Sequence, residues 1–84
     1  MNAKKIKVER VQTGVRIEKR MLKVLKAMAE YHDISLGDLL EGIVLHAFEG
    51  RSPFDADSIK RIDALKNIYE MDYDTSAAHH FIEE

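Results

Sequence analysis

The sequence predicts a mainly helical protein: one short N-terminal strand pairs antiparallel across a homodimer, two amphipathic helices follow, and a further helix lies near the C-terminus. Three observations predict it. Val11, Thr13, Val15 and Ile17 alternate with Gln12, Gly14 and Arg16 at the period of a strand. No second stretch of comparable quality offers a pairing edge, and a lone strand cannot satisfy its own backbone groups. Residues 11–48, the strand and first two helices, form a segment that seldom folds unaided without disulfides, metal or oligomerisation, and the chain has no cysteine.

Residues 1–10 read as a basic arm carrying Lys4, Lys5 and Lys7. Ile6 and Val8 have even parity, whereas the apolar positions from Val11 onward are odd. A parity change flips side chains to the other face, so either a bulge lies near Glu9–Arg10 or the arm is separate. In the strand, Val11, Thr13, Val15 and Ile17 form one face, and Gln12, Gly14 and Arg16 the other.

The first helix is expected from about Glu18 to His32, with Met21, Leu22, Val24, Leu25, Met28 and Ala29 on its apolar face. Lys19, Lys23 and Lys26 share its solvent side. After the break at Tyr31–Ile34, Ser35 and Asp38 are spaced as a capping box. The second helix carries a wide apolar stripe through Leu36, Leu39, Leu40, Ile43, Val44, Ala47 and Phe48, and Gly50 is its expected C′ residue. Gly42 in mid-helix costs about 1 kcal/mol relative to Ala and points to a close helix crossing at a dimer interface. The expected dimer core is Val11, Thr13, Val15, Ile17, Leu39, Leu40, Ile43 and Val44.

Arg51 to Phe54 connect to a third helix over about 56–71, with Ile59, Ile62, Leu65, Ile68 and Tyr69 as its apolar face. A short helix over 76–82 is also compatible with the pattern. The chain thus divides into a basic arm (1–10), a core (11–50) and a C-terminal extension (51–84).

Net charge is −2, but its distribution is uneven: residues 1–26 hold nine Lys/Arg against Glu9 and Glu18, whereas residues 27–84 hold four against thirteen acidic residues. Such asymmetry suggests a polyanion-facing end and a partner-facing end. No apolar run approaches the ~20 residues needed to span a bilayer, and the N-terminus has no apolar h-region. The expectation is a cytoplasmic protein without membrane contact. His32, His46 and the adjacent His79 and His80 lack metal-ligand spacing, so no metal or cofactor is expected. No phosphate loop, nucleophile elbow or positioned carboxylate pair is present, which argues against an enzyme.

The order strand, helix, Ser-containing turn, helix in VQTGVRIEKRMLKVLKAMAEYHDISLGDLLEGIVLHAF, residues 11–48, resembles the ribbon–helix–helix superfamily of Arc, MetJ and CopG-type DNA-binding proteins. The resemblance implies a homodimer whose two-stranded ribbon enters the major groove of double-stranded DNA, as in a transcriptional repressor. It places Gln12, Gly14 and Arg16 at the base-contacting positions, and Ser35, Leu36 and Gly37 on a phosphate. Arg and Gln suit guanine and adenine edges respectively, and a helix N-terminus suits a phosphate. Lys4, Lys5 and Lys7 would add backbone contacts. Gly14 departs from the family pattern, since the middle outward position usually carries a polar or charged side chain.

Two alternatives compete. Antitoxins of this superfamily use an acidic C-terminal extension to wrap a toxin, and residues 51–84 fit such a protein-interaction module. A helix-turn-helix is mimicked by Ala29, Asp33 and Ser35, but Asp33 replaces the usual glycine and the first helix is about twice the usual length.

Overall fold

Carboxylate and hydroxyl caps set where the helices start. A computed structural model describes residues 4–84; residues 1–3 of the basic arm lie outside the described residues. Glu18, Ser35 and Asp55 each accept backbone N–H groups from the first turn of the helix they precede, which relieves donors that have no partner inside the helix. The helices are α1 (Lys19–Tyr31), α2 (Leu36–Phe48) and α3 (Ala56–Ile68), followed by a single 3₁₀ turn at Thr75–Ala77. Ser35 Oγ accepts from Asp38 N at 3.0 Å, so the forward half of the capping box forms. Of the helix expected over 76–82, only the turn at Thr75–Ala77 is present.

All three helices stop in the same way. The residues after the C-caps, Asp33, Gly50 and Glu70, take positive φ of 55°, 68° and 57°. At each site the following N–H reaches back to a carbonyl near the helix end: Ile34 to Ala29, Arg51 to His46 and Met71 to Lys66. This is the Schellman arrangement, and glycine meets its left-handed residue at no steric cost. Asp33 and Glu70 accept that conformation with a side chain.

The core is small. Among the described residues Val24, Met28, Ala29 and Leu39 are the buried apolar ones, and of these only Met28 is enclosed on all sides, at 1 % exposure. Leu25, Ile43, Phe54, Ile62 and Leu65 pack around Met28, Ala29 and Leu39. Helix α1 is therefore the central element, with α2 and α3 each laid against it. The Arg61 guanidinium on α3 lies 3.8 Å from the Tyr31 ring centroid, pinning the end of α1 to α3. The radius of gyration is 14.5 Å, whereas a compact chain of this length would have about 12 Å. The excess fits a thin core with an extended N-terminal segment.

The strand expected at Val11–Ile17 is absent, and no strand occurs among the described residues. Residues 4–18 have neither helix nor sheet assignment, and no backbone–backbone hydrogen bond joins residues 4–17 to any other element. The ribbon–helix–helix fold class is therefore corrected to a three-helix chain with an irregular basic N-terminal segment. The physical reason is that β-branched residues supply propensity, but a strand is a pairing state. The chain presents no second edge for residues 11–17. Val11 and Val15, expected in a dimer core, are 78 % and 73 % exposed, Thr13 is exposed, and Ile17 is half-buried. Leu39 is buried against α1 of its own chain, Leu40 and Ile43 are half-buried, and Val44 is exposed. No described helix is long and apolar enough to cross a membrane.

Candidate nucleic-acid interface

The cations of the first third of the chain fall into two groups. Lys4, Lys5, Lys7, Lys19, Lys23 and Lys26 are exposed and make no ion pair among the described residues, Lys23 Nζ lying 5.6 Å from the Tyr69 ring centroid. The three arginines are engaged. Arg10 makes a two-pronged pair with Glu41 of α2, Nε to Oε2 and Nη2 to Oε1, both at 2.9 Å. This pair fastens the extended segment to α2 and holds the Glu41 carboxyl below the usual carboxylate range. Arg16 pairs with Glu83. Arg20 donates to Glu18 Oε2 at 3.3 Å, to the Glu70 carbonyl at 2.9 Å and to Asp72 Oδ1 at 3.3 Å.

Gln12, Gly14 and Arg16, expected on one outward face, are all exposed, but no sheet fixes that face. A Cβ built at Gly14 meets nothing within 4 Å, so crowding does not demand glycine there. The same is true of Gly42 within the chain. At the start of α2, Ser35 and Gly37 are exposed and Leu36 is half-buried. The Leu36 and Gly37 N–H groups head the helix, while Ser35 Oγ is committed to Asp38 N. A phosphate placed there would meet two backbone donors and the positive helix end, opposed by the Asp38 carboxylate in the first turn.

Glu18 is the residue that pattern reading missed. It caps α1, accepting from Arg20 N at 3.0 Å and Met21 N at 3.3 Å, and it also accepts the Tyr73 hydroxyl. Its carboxyl is pushed down to about 2, first by the Tyr73 hydrogen bond, against an opposing effect of burial, and with help from Arg20 and Met21. The Tyr73 hydroxyl is pushed up to about 12 by burial and by the same bond. Asp or Ser would have signalled a cap at position 18, whereas Glu is a weaker cap signal. The role of Tyr73 has no local signature.

A carboxyl whose value is lowered by folding contributes stability that is complete above its ordinary value near 4.5 and is lost as pH falls toward about 2. Thermal denaturation between those pH values should therefore show a steeper loss in wild type than in Glu18→Gln. Parallel profiles would remove Glu18 from the acid response.

Among the described residues no three His, Asp or Glu side chains gather as a metal ion would require. His46 Nδ1 is instead 2.7 Å from the Gly42 carbonyl on its own helix. No family model, curated protein or solved structure matches the chain in comparisons with known proteins.

Proposed function

We propose that the chain is a homodimeric DNA-binding regulator of transcription that grips duplex DNA through its basic N-terminal segment and the adjoining lysines of α1. The observation that carries this reading is the state of residues 4–16. They are exposed along their whole length, form no helix or sheet, and present Lys4, Lys5 and Lys7 without carboxylate partners among the described residues. Lys19 and Lys26 extend the same charge onto a helix. A chain with net charge −2 that gathers nine of its thirteen Lys and Arg in residues 1–26, against only Glu9 and Glu18, is suited to meeting a polyanion with that end.

Without a paired ribbon, the mode of contact differs from groove insertion. An unstructured basic segment follows the phosphate backbone, so affinity is dominated by counterion release and sequence discrimination is modest. Arg16 and Gln12 supply base-edge donors and acceptors if they reach the groove. Ser35, Leu36 and Gly37 offer a second phosphate contact on the body. The small core and the exposed apolar stripe of α2 support a second copy as partner.

Fluorescence anisotropy of a labelled duplex at two salt concentrations tests the reading. Replacing Lys4, Lys5 and Lys7 together with Ala should weaken binding and flatten the log K against log salt slope, by as much as about 0.9 for each phosphate no longer neutralised. Duplex affinity that is absent in wild type, or indifferent to the triple substitution, would sink it.

A protein-binding role for residues 51–84, as in an antitoxin, draws on one observation: Ile59, Ile68 and Ile82 are exposed apolar residues in an acidic segment. Against a free wrapping tail, α3 lies on α1 and Asp72 and Tyr73 are tied to Arg20 and Glu18. Hydrogen exchange separates the two readings. Protected amides over 56–68 in the isolated protein would mark α3 as part of the body, and unprotected ones would favour the partner.

A further inference from the structure

Beyond α3 the chain turns back over the basic end of the molecule. Glu70, at positive φ, reverses the direction after α3, and its carbonyl receives Arg20 Nη1 at 2.9 Å. Asp72 meets the same guanidinium, and the Tyr73 hydroxyl donates to Glu18. The Tyr73 ring lies 5.4 Å from the Arg20 guanidinium and packs edge-on against Phe81 at 5.0 Å. A second reversal follows at the 3₁₀ turn and His79, where His80 N donates to the Ala77 carbonyl at 2.9 Å. It returns the chain so that Glu83 pairs with Arg16. Residues 70–84 contain Glu70, Asp72, Asp74, Glu83 and Glu84 and no Lys or Arg.

We propose that residues 70–84 form an autoinhibitory acidic strap, anchored by Tyr73 and Asp72 on Glu18 and Arg20 and latched by Glu83 on Arg16, which withholds Arg16 from DNA until a duplex displaces the latch. The inference rests on the DNA-binding reading and adds to it a competitor built into the same chain. The two ends of the strap differ in kind. The Tyr73 end is half-buried and held by several bonds, so it stays seated. The Arg16–Glu83 pair is exposed on both sides, with side chains 86 % and 64 % accessible. Exposed pairs are weak and screened by salt, which is what a displaceable latch requires. A duplex offers Arg16 a line of phosphates in place of one carboxylate, so the exchange favours DNA while lowering its apparent affinity.

The test measures duplex binding by the full chain in four forms: wild type, Glu83→Gln, Glu84→Gln and Glu83→Gln combined with Arg16→Ala. Glu83→Gln should tighten binding roughly two- to fivefold at low salt, with the gain vanishing at high salt. Glu84→Gln removes the same charge from a neighbour that makes no ion pair among the described residues, and should gain less. Adding Arg16→Ala should erase the gain. Equal gains from Glu83→Gln and Glu84→Gln would reduce the effect to net charge and overturn the latch. No gain from Glu83→Gln, with binding still dependent on Lys4, Lys5 and Lys7, would overturn the strap and leave the DNA reading standing. Failure of every form to bind duplex would overturn both.

Discussion

Met28→Ala is expected to cost about 2–5 kcal/mol of stability, the largest loss from any single truncation in the chain. Met28 has 1 % exposure and extends from α1 into the cluster it forms with Ala29 and Leu39, against which Ile62 and Leu65 of α3 pack. Among the described residues only Val24, Ala29 and Leu39 are otherwise buried, so no neighbouring core is deep enough to absorb the cavity. Domains of ordinary stability have about 5–15 kcal/mol in total, and small ones lie at the low end. The variant should therefore be largely unfolded, visible as lost helical circular dichroism and a urea midpoint near zero. Met28→Leu conserves volume and should cost under about 1.5 kcal/mol. A truncation that costs no more than the Leu exchange would show that the helices are not held together at this residue.

The helices were legible because their information is local. Caps, 3.6-residue periodicity and a left-handed stop residue all lie within a few positions of each other. The expected span Glu18–His32 brackets α1 by one residue at each end, and α2 lies between the expected cap Ser35 and the expected C′ residue Gly50. The segment at Val11–Ile17 was misread for the opposite reason. Alternation is also local, but a strand depends on a non-local edge, and no amount of β-branching creates one. The candidate site divides along the same line. That the basic residues cluster in residues 1–26 is a compositional fact, open to reading. That Arg16 faces Glu83 across 67 residues, and Arg20 faces Asp72 across 52, is set by two chain reversals at non-glycine residues. Neither Glu70 nor His79 is the Gly, Asn or Asp that usually marks a left-handed turn. Phe54 was read as part of a connector, yet it packs on the core, in a short loop where the Ser52 hydroxyl donates to the Phe54 carbonyl.

On the proposed homodimer, Phe48→Glu combined with Val44→Lys is expected to abolish self-association. Val44, Leu45 and Phe48 lie on the outward side of α2, with Phe48 80 % exposed, and Val44 and Leu45 join Leu40 and Val8 in bordering a shallow apolar groove walled by the Arg10–Glu41 pair. Helical spacing puts Val44 and Phe48 one turn apart on the same stripe, away from the Leu39 face that packs on α1. Fully burying such a side chain is worth about 1.5–3 kcal/mol, and a two-fold interface would bury each of them twice. Because these residues are exposed within one chain, charged replacements should disturb the isolated fold by no more than about 0.5 kcal/mol. Loss of self-association could then be separated from loss of folding by circular dichroism of the same sample. A homodimer also brings two basic segments to one duplex, so the monomeric variant should lose affinity through effective concentration as well as through any direct contact. Sedimentation velocity across a wide concentration range decides the matter. Wild type should sediment at twice the chain mass, with a denaturation midpoint that rises with concentration, whereas the variant should show neither. Wild-type protein that stays at the mass of one chain throughout would leave the α2 stripe without its second copy, and the thin core would then have to sustain the fold alone.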